Sequence, residues 1–196
     1  MEGLGARELR HALLTHAHYD HMGGLPEWVD ACRWTKQRGT LYAPSEVLSA
    51  VQERYPWLKN QLDYQALEDG LTFGGWTITS CRVCHGKNGF SHAFRFDKPD
   101  YAFVYCPDSI NLGEAEKQFM TGLDLLILGT SYYHEPFAME TRSVYDMVEA
   151  MALVQELSPG KTLFTHMSHA VDCQMPYPLP PNVALTERGM LVQLSR

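Results

Sequence analysis

The chain of 196 residues contains no uninterrupted apolar run of the 18 or more residues expected of a membrane-spanning helix. Its opening residues, MEGLGARELRH, lack the apolar centre of an export signal, so a cytoplasmic protein with no membrane partner is the expectation. Basic runs and basic tails are also missing. The 16 Lys and Arg against 23 Asp and Glu leave a net charge of −7, which disfavours nonspecific wrapping of nucleic acid. Cysteine is sparse: Cys32, Cys81, Cys84, Cys106 and Cys173 are odd in number, in a chain long enough to build a core without staples, which fits a reducing compartment. There is no internal repeat or low-complexity tract. With 45% hydrophobic and 20% charged residues, the composition excludes disordered, collagenous and coiled-coil classes and leaves one globular domain over 1–196.

What is present reads as short strands and helices in irregular alternation. HALLT (11–15) is a strand ending at a polar cluster, and a helix begins near Leu25-Pro26, where proline suits the first turn. A strand is expected over 40–43 and a helix over 44–54, with Val47, Leu48 and Val51 on one face. Residues 55–69 read as a loop with a short helix. From Leu71 the pattern turns to β pieces: LTF, WTITSCRV, the stretch after Asn88-Gly89, and YAFVYC. Phe90, His92, Phe94 and Phe96 alternate as on a strand with one face against a core. LDLLIL (123–128) is a buried strand, 142–157 a helix, and 162–164 and 183–185 are strands. This is a layered α/β domain.

The cluster His16-Ala17-His18-Tyr19-Asp20-His21 places three imidazoles and a carboxylate just past a strand. Neutral imidazole and carboxylate hold borderline divalent ions and leave room for water, and ligands on a turn can converge. Further candidates are His85, Asp108 and His166, each the first strongly coordinating residue beyond an apolar run, where open α/β sheets carry their sites.

The stretches LLTHAHYDHMGGL (13–25), His85, YCPDS (105–109) and LFTHMSH (163–169) resemble the metallo-β-lactamase fold superfamily. The ending leans toward its phosphodiesterase branch, which includes the phosphoribosyl cyclic phosphodiesterases and, further off, the tRNA 3′-processing endonucleases. The resemblance implies an αββα sandwich with two mixed sheets flanked by helices. It implies one divalent ion on His16, His18 and His85, a second on Asp20, His21 and His166, and Asp108 bridging both. Zinc, manganese or iron all suit such donors. By the same resemblance a metal-bridging hydroxide attacks a small phosphodiester, linear or cyclic, and Asp20 and Asp108 serve catalysis. His169 is either a phosphate-facing group behind the ligands or a structural histidine bonded to Asp172, and Ser168 is a local hydrogen-bonding group.

The sequence departs from the resembled branch in two ways. Those enzymes carry a further histidine at the start of the helix before the last metal histidine, where it protonates the leaving group; here that region reads Met139-Glu140-Thr141-Arg142-Ser143-Val144. Losing a general acid typically costs ~10² to 10⁴ in rate. Arg142 as a phosphate grip and His134 as a displaced acid are the candidate replacements. Secondly, only fifteen residues precede His16, so the fold is expected to be N-terminally shortened, with a homodimer or other partner covering an exposed sheet edge.

Other signals are bland. Cys81-Arg82-Val83-Cys84-His85 matches a haem-attachment spacing but belongs to a strand end, and Trp28, Trp34, Tyr42, Trp57 and Tyr64 are scattered as core and cover rather than as a base-stacking platform. The alternatives to a phosphodiesterase are an RNA 3′-end processing nuclease, a thioester hydrolase, and an inactive truncated interaction domain. A lactamase is disfavoured because YCPDS supplies aspartate where those enzymes use cysteine.

Overall fold

The computed structural model describes residues 9–194. The opening residues 1–8, read above for their lack of an apolar centre, and the last two residues of the 1–196 span lie outside the described residues. The chain divides into two compact units, one through Gly70 and one from Leu71.

In the first unit β1 (His11–Leu13), β2 (Gly39–Ala43) and β3 (Leu62–Ala66) form a wholly parallel sheet in that order. The helices are α1 (Tyr19–Met22), α2 (Leu25–Trp34) and α3 (Ser45–Arg54), with a 3₁₀ turn at Pro56–Leu58. Pro26 sits in the first turn of α2, and Leu25, Val29 and Cys32 recur at helical spacing to form its buried side. Val47, Leu48 and Val51 do the same for α3, and these faces meet Leu14, Leu41 and Leu62 in one core. Two expectations are corrected here. Residues 55–69 contain β3 as well as the short helical turn; as an edge strand with only Leu62 buried, it carries almost no hydrophobic signature. Asp20 and His21 lie on the single turn α1 rather than in an open loop.

The second unit is a seven-stranded mixed sheet of β4 (Leu71–Phe73), β5 (Trp76–Cys84), β6 (Phe90–Lys98), β7 (Tyr101–Cys106), β8 (Leu125–Gly129), β9 (Lys161–Thr165) and β10 (Val183–Leu185). Its spatial order is β10-β9-β8-β7-β6-β5-β4. β6 is antiparallel to both β5 and β7, so β5 and β7 point the same way, and β8, β9 and β10 follow β7 in parallel. The carboxyl ends of β5, β7 and β9 therefore share one end of the sheet.

Alternation along these strands feeds two apolar clusters, one on each face. Ala102, Val104, Cys106, Leu126, Leu128 and Phe164 belong to the larger, and Tyr101, Phe103, Leu125 and Leu163 to the smaller. This corrects the expectation of a one-sided sheet: where both alternating sets are apolar, both faces are buried. Each such leucine contributes roughly 1.5 to 3 kcal/mol by burial.

Two helices complete the unit, α4 (Glu114–Phe119) and α5 (Met147–Leu157). α5 starts five residues later than the expected Arg142. Asp146 is the reason: its carboxylate accepts from the Glu149 N–H while the Glu149 carboxylate accepts from the Asp146 N–H, a reciprocal cap that fixes the first turn. Ahead of it Met139–Thr141 makes a 3₁₀ turn and Arg142 is extended.

Candidate metal centre

The candidate ligands fall into two groups, one in each unit. In the first, the chain leaves β1 through Thr15 and His16, both buried. The Thr15 hydroxyl lies 3.1 Å from Nδ1 of His16, and Nε2 of His16 lies 2.9 Å from Nδ1 of His18. The His16 ring is edge-on to His18 at 4.4 Å between centroids and 4.3 Å from His21. Asp20 and His21 follow on α1, with Oδ2 of Asp20 3.4 Å from Nε2 of His21. Beside this cluster opens a hollow of about 530 Å³ whose wall includes His18, Tyr19 and Arg54.

In the second unit His85, Asp108 and His166 directly follow or closely trail β5, β7 and β9, the three strands whose carboxyl ends coincide. Sheet topology thus gathers residues far apart in sequence. Nε2 of His85 lies 3.9 Å from Oδ2 of Asp108, and Nε2 of His166 lies 3.3 Å from Oδ1. Each carboxylate oxygen is thereby turned to a different histidine. Donors held about 2.0 to 2.2 Å from one tetrahedral ion stand roughly 3.3 to 3.5 Å apart. The 3.3 Å pair and the Asp20–His21 pair meet that edge length, and 3.9 Å is too long for a hydrogen bond.

Local backbone explains the placement. Asp108 is 1% exposed, on a bend that Gly129 admits: a Cβ there would lie 1.4 Å from the carbonyl oxygen of Pro107. His85 donates through Nδ1 to the carbonyl of Ser143 at 2.7 Å, which fixes the ring and leaves Nε2 as the unprotonated donor. His166 adopts φ +59°, the left-handed region that side chains other than glycine's enter at a cost. Burial pushes the neighbouring Cys106 thiol up to about 12, with the charge of Asp108 acting the same way. Cys106 is therefore a neutral packing group. Burial, then the Asp108 charge, also raise the Tyr105 phenol.

The remaining candidates lie elsewhere. Arg142 as a phosphate grip is corrected: its side chain is 5% exposed and its two Nη atoms bond the Glu149 carboxylate at 2.9 and 2.5 Å. His134 is a mostly exposed loop residue with Nδ1 3.3 Å from Asp146. Of the two readings of His169, the one that bonds it to Asp172 is not met among the described residues: Asp172 accepts from the Gln174 N–H, and His169 is exposed. Ser168 is a local hydrogen-bonding group, its Oγ accepting from the Ala170 N–H. Cys81 and Cys84 are β5 residues, and all five cysteines are free. Sequence reasoning missed Thr15 and the carbonyl of Ser143. A threonine preceding a strand-end histidine was a readable signal; a main-chain carbonyl carries none.

Known folds are closely similar. A diphosphatase from the PhnP family superposes with a TM-score of 0.78 at 21% identity, covering 92% of this chain and 69% of that one. The Bacillus subtilis metallo-beta-lactamase fold protein YhfI gives 0.71 at 23% identity over 85% and 68%. Human tRNase Z, short form, gives 0.73 at 15% identity over 99% and 82%. No curated protein sequence is a significant match. The fold is the metallo-β-lactamase fold, the αββα class expected from the sequence. The Beta-lactamase superfamily domain family matches residues 3–167, and the chain belongs to that superfamily.

Membership and the His/Asp clusters together support a metal-dependent hydrolase with capacity for one or two divalent ions. The donors fit such ions: buried imidazoles with one nitrogen already bonded to protein, and a carboxylate whose oxygens separate toward two histidines. Among the described residues no helix is long and apolar enough to cross a membrane.

Proposed function

We propose that the chain hydrolyses a small phosphodiester with two divalent ions, zinc or manganese. His16, His18 and His85 hold one, Asp20, His21 and His166 the other, and Asp108 is shared. The observation that carries this reading is the division of the Asp108 carboxylate, Oδ1 toward His166 and Oδ2 toward His85, which is how a bridging ligand is set. When bound, the ions supply a strong nucleophile from water at neutral pH and neutralise charge on the phosphoryl oxygens.

The protein's own residues hold and orient. The Ser143 carbonyl holds the Nδ1 proton of His85, and the Thr15 hydroxyl bonds Nδ1 of His16, so both rings are fixed before substrate arrives. Asp20, with its side chain 62% exposed beside His21, takes the proton of the attacking water at a carboxylate oxygen. A diphosphatase and a tRNase among the similar folds agree with phosphorus as the electrophile. Residues 139–144 hold no histidine, and Arg142 is bound to Glu149, so neither an imidazole nor that guanidinium serves the leaving group. Substrates with good leaving groups are therefore preferred.

The test is elemental analysis of purified chain with rates on bis(p-nitrophenyl) phosphate, a thioester, a β-lactam and a structured precursor RNA. About two ions per chain and hydrolysis of the aryl phosphodiester are expected. Metal-loaded protein that cleaves only the thioester, or only the RNA with a steep salt dependence, overturns the small-phosphodiester reading.

A further inference from the structure

Buried charge in the second unit collects at a place the proposed reaction does not use. The Arg142 guanidinium meets Glu149 through two Nη atoms, with Glu135 3.4 Å from Nε and Asp146 3.7 Å from Nη2. Three carboxylates around one buried cation contribute little net stability, because desolvation offsets the attraction; such a cluster instead selects one arrangement of the groups it ties together. Here the tied groups are the start of α5, where Glu149 also completes the helix cap, and the main chain at Arg142, which is extended, and Ser143.

That main chain faces the turn carrying His85. The Arg142 carbonyl accepts from the Lys87 N–H at 3.0 Å, and the Ser143 carbonyl accepts from Nδ1 of His85 at 2.7 Å. Between them Gly86 has φ +53°, and a Cβ there would meet the Arg142 carbonyl oxygen at 2.2 Å and the Ser143 Cα at 3.0 Å. The two segments touch backbone to backbone, so a shift of the 142–143 chain passes directly to the His85 ring. We infer that Arg142, clamped by Glu149 at the first turn of α5, is a positioning residue for His85. It holds the Ser143 carbonyl where it accepts the hydrogen bond from Nδ1–H and leaves Nε2 facing Asp108. The role needs arginine: two parallel bonds from a planar fork fix a direction, which a single ammonium does not. The inference rests on reading His85 as a metal donor.

The experiment uses the full chain, stripped of metal by chelation and labelled with ¹⁵N-histidine, as wild type, Arg142→Lys and Glu149→Gln. Glutamine keeps the capping role at the third helical position and one oxygen for Arg142, so it carries the test if the lysine variant does not fold. Imidazole ¹H–¹⁵N spectra of the wild type are expected to show His85 as a single Nδ1–H tautomer with a slowly exchanging proton. In the variants the tautomers mix and exchange quickens, while the His16 and His18 signals stay in place and urea unfolding remains cooperative. Zinc affinity, read by competition with a chelating dye, falls about tenfold or more. A folded variant that keeps the single tautomer and wild-type zinc affinity overturns the inference. The tautomer is read without metal or substrate, so wild-type protein that binds zinc but leaves phosphodiesters intact overturns only the reading of the reaction.

Discussion

Nε2 of His166 lies 3.3 Å from Oδ1 of Asp108, although the strands that deliver them, β9 and β7, are separated by β8. His166 reaches this position with a φ of +59°. In metal-free protein His166→Gly is expected to be more stable than His166→Ala by about 1 kcal/mol, because only glycine enters that region without strain. Urea unfolding of the two variants checks it; equal stabilities would show that the left-handed turn carries no strain.

Asp108→Asn keeps the shape of the side chain and removes its charge. Zinc content is expected to drop by at least one ion per chain, and phosphodiester hydrolysis by more than about 100-fold. Elemental analysis beside a rate assay decides it. Full metal content in the variant would remove the bridging role.

Gly129→Ala must displace the Pro107 carbonyl and with it the bend carrying Asp108, since the added carbon would lie 1.4 Å from that oxygen. A loss of about 3 kcal/mol or more is expected, against a change within about 1 kcal/mol for Gly24→Ala, where open space and a φ of −82° leave room. Chemical denaturation of the pair, with metal removed, separates the effect on folding from any effect on ion binding.

The Tyr145 phenol oxygen accepts a hydrogen bond from the Leu112 N–H at 2.8 Å, and burial pushes its pKa above the ordinary value, offset in part by that bond. At neutral pH Tyr145→Phe is expected to destabilise by about 1 to 2 kcal/mol, the penalty of leaving the N–H without its acceptor. Above pH 10 the unfolded phenol releases its proton while the folded one retains it. The stability that Tyr145 confers is then fully present below pH 10 and is lost as pH rises toward the folded value. The gap between variant and wild type should narrow across that range, as followed by urea unfolding at pH 7, 9 and 10.5. A constant gap would place the phenol's pKa at its unfolded value.

The two groups of candidate ligands differ in legibility. The His16–Asp20–His21 cluster stands in six consecutive residues, and His85, Asp108 and His166 each end an apolar run, so their strand-end positions could be read from hydrophobic pattern alone. The helix expected from Arg142 began instead at Met147, because periodicity ran on through residues that the Asp146–Glu149 cap excludes. β3 leaves little hydrophobic pattern because an edge strand buries little. Arg142 looked like an anion grip because residue type says nothing of the three carboxylates that α5 and the preceding loop bring to it. Contacts set by main-chain carbonyls, such as Ser143 with His85, leave no mark on residue identity at all.

Asp108 stands 23 positions after His85 and 58 before His166 in the chain, whereas the His16 cluster is local. Bringing the distant three together requires closing long loops, which happens late in folding, while a six-residue turn forms early. A newly made chain therefore offers its imidazole-rich turn to passing ions well before the sheet zips up. Metal acquisition should occur in two kinetic phases, with the slower one tracking completion of the sheet from β5 through β9.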